Sequence, residues 1–356
     1  MDVLADADQA EITALAREFL TERLGPDQAH AVADGRAVVD AALLGRAAEL
    51  GWFGLGLPES RGGAGYGLLE EIAVFREIGR AVSPGPLLPM VLAARIAVLG
   101  GADSQAEGLL SGTLRAAWAE PVPGAATVTA ERVSGRFASF DPERADVLVV
   151  VTPEVAVLVP APDGSAAVPS VDPTISTLVA ELEVAPLAVL PADADPVYLR
   201  GLLLSAAALV GSAQRTTEMA VEHAGTREAF GRPIGTYQAI KHRCADMWMR
   251  TQAADAHLVY AALALDSGGK VEADLPGLAH GARSLAAEAA ARNGEAVVQV
   301  HGAMGYTWEH DSGLHIGRAE VLRRWFGGPA ADVDAVLASV PLSDPRTTIS
   351  QAGETP

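Results

Sequence analysis

After Pro196 the chain offers three long stretches, "LRGLLLSAAALVGSAQRTTEMAVEHA", "YQAIKHRCADMWMRTQAADAHLVYAALALDSG" and "LPGLAHGARSLAAEAAARNGEAVVQVHGAMG". Their apolar residues recur at helical spacing and their connections are short. Long helices joined by short turns must lie side by side, so this region predicts a bundle, closed by a fourth helix from Ser312 to Trp325. The chain before it has a different texture. "DQAEITALAREFLTERL" sets Ile12, Leu15, Phe19 and Leu20 on one helical face, and "VDAALLGRAAELGW", "LLEEIAVFREIGRAV" and "LLPMVLAARIAVLGG" extend a helical unit to about residue 114. From Arg115 to about Asp195 the short Val-rich runs "ADVLVVV", "EVAVLVP" and "LEVAPLAVL" are separated by Pro, Asp and Gly and read as strands of a small β domain. The expected fold class is therefore α+β, with an N-terminal helical domain (1–114), a central β domain (115–196) and a C-terminal four-helix bundle (197–356). Neither βαβ alternation nor a phosphate-binding glycine fingerprint accompanies the strands, which argues against the usual parallel dinucleotide fold.

Composition narrows the class of partner. With 49% hydrophobic residues among 356, the chain can bury a core spread over two or three domains. A formal net charge of −19 repels phosphate backbones and anionic lipid surfaces, so no nucleic acid is expected as a partner. A small anion can still be held by a local cluster such as Arg227 and Arg232. The single cysteine, Cys244, has no intramolecular disulfide partner and is expected to pack within a helix in a reducing compartment. The acidic N-terminus "MDVLADADQAEITALAREFL" lacks a basic segment followed by an apolar one, which points to the cytoplasm. Apolar runs such as "LLLSAAALVGSA" read as too short and too closely flanked by charge to span a bilayer, so no membrane is expected. Glu309, His310 and Asp311 in "TWEHD" are consecutive and do not converge on one ion, and no metal is expected.

Between two of the long helices stands "TREAFGRPIGTYQAIKHRCADM", a turn-forming stretch with an Arg, a Phe, a Pro and a Gln. A guanidinium fork matches phosphate geometry, and the helix start beyond the turn offers free N–H groups. Together with "LGWFGLGLPESRGGAGYG", "AEP" and "QVHGAMGYTWEHD", in this order over almost the whole chain, it resembles the acyl-CoA dehydrogenase family. The resemblance implies an α-domain, a β-barrel-like domain and a four-helix bundle, with FAD bound where the last two meet a neighbouring subunit. It also implies an acyl-CoA substrate and an electron-transfer flavoprotein or similar acceptor. Carried over by motif, Arg227 reaches the FAD pyrophosphate on the adjoining subunit, Phe230 packs on the cofactor and Gln238 hydrogen-bonds nearby. Gln299 and the backbone around Gly302 approach the ADP part. Ala303 stands where the family commonly has a second Gly.

The likeness weakens in the β domain. The family's hydroxyl before Glu-Pro and its Gly-Ser-Asp are replaced by Ala119 before Glu120-Pro121 and by Ala125-Ala126 after Gly124. The stretch expected against the flavin ring is shortened to "RVSGRFASFDPERADV", in which Phe140 is the candidate substitute for the aromatic there. Dehydrogenation also needs a carboxylate at the α-carbon, since the α-proton leaves as flavin takes hydride from the β-carbon. The family's two positions for this Glu fall on Gly201 and Phe326, and the flanking Arg200, Leu202, Trp325 and Gly327 supply no acid. Glu320 lies six residues before Phe326, and Asp195 precedes the helix of Gly201. The resemblance thus implies a non-catalytic subunit that completes FAD sites in an α2β2 heterotetramer with a homologous chain carrying the base. Two other readings stand beside it: a self-sufficient homotetrameric dehydrogenase or related flavin oxidase, and a flavin-free scaffold or acyl-CoA-binding protein. Steroid, branched and straight acyl chains are not distinguished, because an apolar pocket lining has the same pattern as core.

Overall fold

A computed structural model describes residues 7–162, 168–268, 270 and 273–340. The N-terminal helices are α1 (Ala7–Arg23), α2 (Pro26–Ala33), α3 (Ala41–Glu49), α4 (Leu68–Arg80), α5 (Leu87–Leu99) and α6 (Asp103–Ser111). α5, apolar at every position but Arg95, is buried along nearly its whole length and packs beneath the sheet. That sheet comprises β1 (Ala116–Val128), β2 (Val133–Phe140), β3 (Val147–Val151), β4 (Val155–Pro160), β5 (Val168–Pro169), β6 (Ser176–Val184) and β7 (Ala188–Pro191). Its order is β5-β6-β2-β1-β3-β4-β7, antiparallel except for the parallel β1–β3 pair.

Residues alternate between two cores along these strands, as the pleat dictates. Ala116, Trp118, Val147 and Val149 join the large core shared with the helices. Ala117, Ala119, Leu148 and Val150 join a second core with Phe137 and Leu182. The β domain therefore encloses a core of its own, while β5 and β7 end the sheet without pairing to each other.

The C-terminal part holds α7 (Val197–Thr226), the hairpin strands β8 (Glu228–Ala229) and β9 (Arg232–Pro233), α8 (Gln238–Asp266), α9 (Leu275–His301), α10 (Ser312–Leu322) and α11 (Gly328–Ser339). The expectation that the apolar run in α7 is too short to span a bilayer needs correcting. As one 30-residue helix, α7 is long and apolar enough to do so, but its most apolar window is 83% buried inside the fold, as in a core helix. The expected fourth helix stops at Leu322 rather than Trp325, because Phe326, Gly327 and Gly328 all turn left-handed. α11 follows and seats its buried Asp332 against His280 and Arg283 of α9.

α4 and α7 cross at backbone contact. A methyl at Gly79 would come within 1.9 Å of the Ala208 carbonyl, and one at Gly211 within 1.9 Å of the Arg76 carbonyl. Neither position has room for a side chain. One core therefore runs from the N-terminal helices through the inner face of the sheet into the bundle. Buried arginines tie the layers together. Arg95 grips Asp195 with Nε at 2.8 Å and Nη2 at 2.6 Å, fixing α5 to the start of α7. Arg318 of α10 donates to Asp172, Thr174 and the Ser83 carbonyl, joining bundle, β domain and N-terminal helices. Losing one partner of such a pair leaves an uncompensated buried charge, so these contacts hold the layers in register.

Candidate functional site

Gly201 and Phe326, 125 positions apart in sequence, meet in space. A Cβ on Gly201 would lie 2.7 Å from the Phe326 ring. Gly201 belongs to the second turn of α7, and Phe326 lies in the turn between α10 and α11 at φ +57°, a costly conformation for a residue with a side chain. Two hydrogen bonds hold it there. Its N–H donates to the Glu120 carboxylate from β1, and its carbonyl accepts from the Tyr198 hydroxyl at 3.4 Å. Burial pushes the Tyr198 hydroxyl up to about 12, so it stays a donor. Below the loop, the fully buried Arg283 pairs with Asp332 and donates to the carbonyls of Leu322 and Arg323, fixing the end of α10.

Aromatic rings fill the cleft between sheet and bundle. Trp118 stacks on Trp325 at 5.4 Å and 23° and lies 4.7 Å from Phe326, while Phe140, paired across from Trp118, lies 5.4 Å from Trp325. The cavity left beside this cluster is about 50 Å³, lined in part by Phe75, Leu87, Trp118, Phe140 and Trp325. Pockets for drug-sized ligands run to about 300–1,000 Å³. These side chains do not fit an isoalloxazine ring in this cleft, and Phe140 belongs to the obstruction. The lost hydroxyl at Ala119 has less bearing than the sequence suggested, because Ala119 points into the separate β core and its neighbour Trp118 faces the cleft.

The two acids weighed as substitutes for a base are engaged elsewhere. Asp195 is held by Arg95, and Glu320 by Arg323 at 3.0 Å and Arg324 at 3.5 Å. Counting along the helices missed Glu120, which reaches the same place from β1. Burial pushes its carboxyl up to about 7, against the opposing hydrogen bond from the Phe326 N–H and the charge of Arg283. Its ordinary value is 4.5, so between that pH and about 7 the folded chain keeps a proton that the unfolded chain releases. Stability contributed by this proton is complete below pH 4.5 and is lost as pH rises through 7, a change on the order of 3 kcal/mol at 1.36 kcal/mol per unit. Replacing Glu120 by Gln should remove that slope. Melting curves at pH 5 and pH 8 are expected to show the variant gaining on the parent as pH rises; parallel curves would contradict it.

The second group of residues lies at one end of the bundle, where α7 ends, α8 begins and α9 ends. Arg227 caps α7 through its backbone N–H to the His223 carbonyl, and its exposed side chain makes no hydrogen bond to any described residue. β8 and β9 then form a tight hairpin whose turn, Phe230-Gly231, has φ of +53° and +76°. Positive φ at both turn positions matches strand twist, and the Gly supplies the sequence signal for it. Phe230 sits at the tip with 97% of its surface exposed. Arg232 lies 4.2 Å over the Tyr237 ring. Gln238 is exposed at the first position of α8, and Gln299 is exposed on α9. Gln299 lines an open groove of about 890 Å³ with Ala239, Arg243, Arg292 and Trp308. Gly302 ends α9 at φ +65°, ψ −138°, a region that glycine alone adopts readily, and Ala303 is exposed beside it. Arg227, Gln238, Gln299 and Gly302 thus share one end of the bundle, and Phe230 projects from it. Of the "TWEHD" residues, Asp311 bonds His30 and His310 bonds Ser312, so they turn to different partners. Cys244 is half-buried on α8 beside an apolar hollow containing Ile240 and Val221.

Two family models match the chain: "Acyl-CoA dehydrogenase, N-terminal domain" over residues 6–116 and "Acyl-CoA dehydrogenase, C-terminal domain" over 201–336. Acyl-CoA dehydrogenase IpdE2 of Mycobacterium tuberculosis is 34% identical over 299 residues, covering 78% of this chain and 82% of that protein. Acyl-CoA dehydrogenase FadE34 of the same organism is 32% identical over 304 residues, covering 79% of this chain. The chain spans only 39% of FadE34's length. Among solved structures, the ChsE4–ChsE5 complex from Mycobacterium tuberculosis matches with a TM-score of 0.78 at 22% identity over 100% of both chains, a likeness of fold.

Proposed function

Because the chain belongs to the acyl-CoA dehydrogenase family, we propose that it is the base-lacking subunit of a heteromeric FAD enzyme, completing cofactor sites whose ring and catalytic carboxylate sit in a homologous second chain. The observation that carries this reading is the contact between Phe326 and Gly201. Both positions at which the family keeps its base fall at one point, and an aromatic ring occupies it. Solution of a fold relative as a ChsE4–ChsE5 complex supports a mixed assembly.

In this reading each residue at the open end of the bundle contacts the cofactor or helps to position it. Arg227 would hold the diphosphate of FAD with its guanidinium fork. Phe230, exposed at a strained tip, would be covered by the cofactor and the neighbouring subunit. Gln238 and Gln299 would donate hydrogen bonds, and Gly302 would let the backbone come close. FAD, when bound, takes the hydride leaving the β-carbon of the acyl thioester. The aromatic cluster, clamped by Glu120 and Tyr198, would keep this chain's own cleft shut to acyl-CoA and water. An electron-transfer flavoprotein or similar acceptor would then be reduced by the assembled enzyme. Co-expression with a base-containing homologue tests the reading: flavin should co-purify with the mixed complex and not with this chain alone.

One observation favours a second reading, a self-sufficient dehydrogenase. Glu120 touches the backbone of position 326 and its carboxyl is pushed up to about 7, a value suited to proton transfer near neutral pH. That reading requires Trp118 and Trp325 to leave the cleft. Its mark would be turnover by the single chain that Glu120→Gln abolishes.

A further inference from the structure

Three imidazoles join the two motifs at the open end of the bundle. His223, in the last turn of α7 and four residues before Arg227, stacks on His301 at 4.1 Å and 27°. His301, adjacent to Gly302, lies 4.3 Å from His310. All three are partly exposed. His301 Nδ1 is 2.8 Å from the Val297 carbonyl, which fixes that nitrogen as the donor and leaves Nε2 without a partner among the described residues. His310 Nδ1 is 2.8 Å from Ser312 Oγ, and the His223 ring makes no hydrogen bond to any described residue. Helix ends carry partial negative charge from unpaired carbonyls, which suits a cation at the ends of α7 and α9. Yet the imidazoles oppose each other's charging. Burial first, and then the neighbouring imidazoles and Arg227, hold His223 below the ordinary histidine range. Burial and His301 do the same for His310, with Asp311 opposing. Asp311 is itself engaged by His30 of α2 at 3.1 Å. The charged groups acting on the stack are thus Arg227 on one side and Asp311 on the other.

We propose that His223 and His310, both packed against the His301 ring, are a proton-linked part of the dinucleotide site, so that binding a diphosphate there takes up protons and tightens as pH falls. This inference rests on the reading that Arg227 and Gln299 hold the diphosphate. A dinucleotide's diphosphate brings fixed negative charge to His223 and His310, which burial first and then their neighbours hold below the ordinary histidine range, and an added opposite charge favours their protonated form. Linkage then runs both ways: ligand raises proton affinity and protons raise ligand affinity. A shift of one unit in one histidine corresponds to a tenfold change in binding, spread between its ligand-free and ligand-bound values. Glu120, pushed up to about 7, also titrates in this range, but it lies in the aromatic cluster against Phe326 and not at the histidine stack.

ADP-ribose is the probe, because its diphosphate is a diester that does not titrate between pH 6 and 8. Its binding to the flavin-free mixed complex with a base-containing homologue should tighten on the order of tenfold from pH 8 to pH 6, the size of a one-unit shift. In the double variant His223→Gln, His310→Gln the affinity should lose most of this dependence. Arg227→Ala should weaken binding at both ends of the range while keeping the slope. Binding that is equally tight at both pH values would overturn the proton linkage and leave Arg227's role standing. A mixed complex that binds no ADP-ribose at any pH would overturn both.

Discussion

The purified single chain is expected to show no useful acyl-CoA dehydrogenation, with rates lower than those of a base-containing relative by roughly 10²- to 10⁴-fold, the usual loss when a positioned general base is missing. The physical reason is local. Phe326 packs against Gly201, the two positions that the proposed reading assigns to the base, and the space beside the aromatic cluster is about 50 Å³. Glu120 is the nearest acid, but it already accepts the Phe326 N–H. A dye-acceptor assay over straight, branched and steroid acyl-CoA substrates checks this. Robust turnover would sink the base-lacking reading, and its loss in Glu120→Gln would assign the proton transfer to β1.

The second large effect belongs to Arg227. Its guanidinium is exposed and makes no hydrogen bond to any described residue, beside a backbone held in place by the cap on His223 and by the hairpin. Replacing it by Ala should remove a charge-assisted contact worth about 1.5–3 kcal/mol, or roughly ten- to a hundredfold in FAD affinity. Flavin content of the assembled complex after gel filtration at low FAD reports the loss. Glu228→Ala is the control: Glu228 is an exposed neighbour on the same hairpin with no assigned contact to the cofactor. Equal flavin in all three proteins would remove Arg227 from the site.

Helix, sheet and bundle were legible because each texture has its own period. Isolated Val-rich runs read as strands, and the long Ala- and Leu-rich stretches read as helices. α11 was not legible: it begins at Gly328-Pro329 and is anchored by a buried Asp332 rather than by an apolar stripe, and only its partners Arg283 and His280 on α9 explain the anchor. The span of α7 was underestimated because short apolar runs were judged separately, although one continuous helix carries them.

Gly201 and Phe326, the positions that the resemblance assigns to the base, can each be counted along its own segment, but no counting shows that they touch. Glu120 was visible as part of "AEP". Its meeting with position 326 depends on how β1 lies against the turn after α10, a long-range contact that periodicity does not encode. The same holds for the imidazole stack, whose members lie at residues 223, 301 and 310. Arg227, Gln238, Gln299 and Gly302 were easier to group, since a helical hairpin with short turns returns the start of α8 and the end of α9 to the end of α7.

The central claim is that a complete site needs this chain and an unlike one, and counting flavin tests it most directly. The complex co-purified with a base-containing homologue should give, from native mass and flavin absorbance on one sample, about two FAD per α2β2 tetramer, one for each pair of unlike chains. Four FAD per tetramer, or a stable flavin-loaded oligomer of this chain alone, would contradict it.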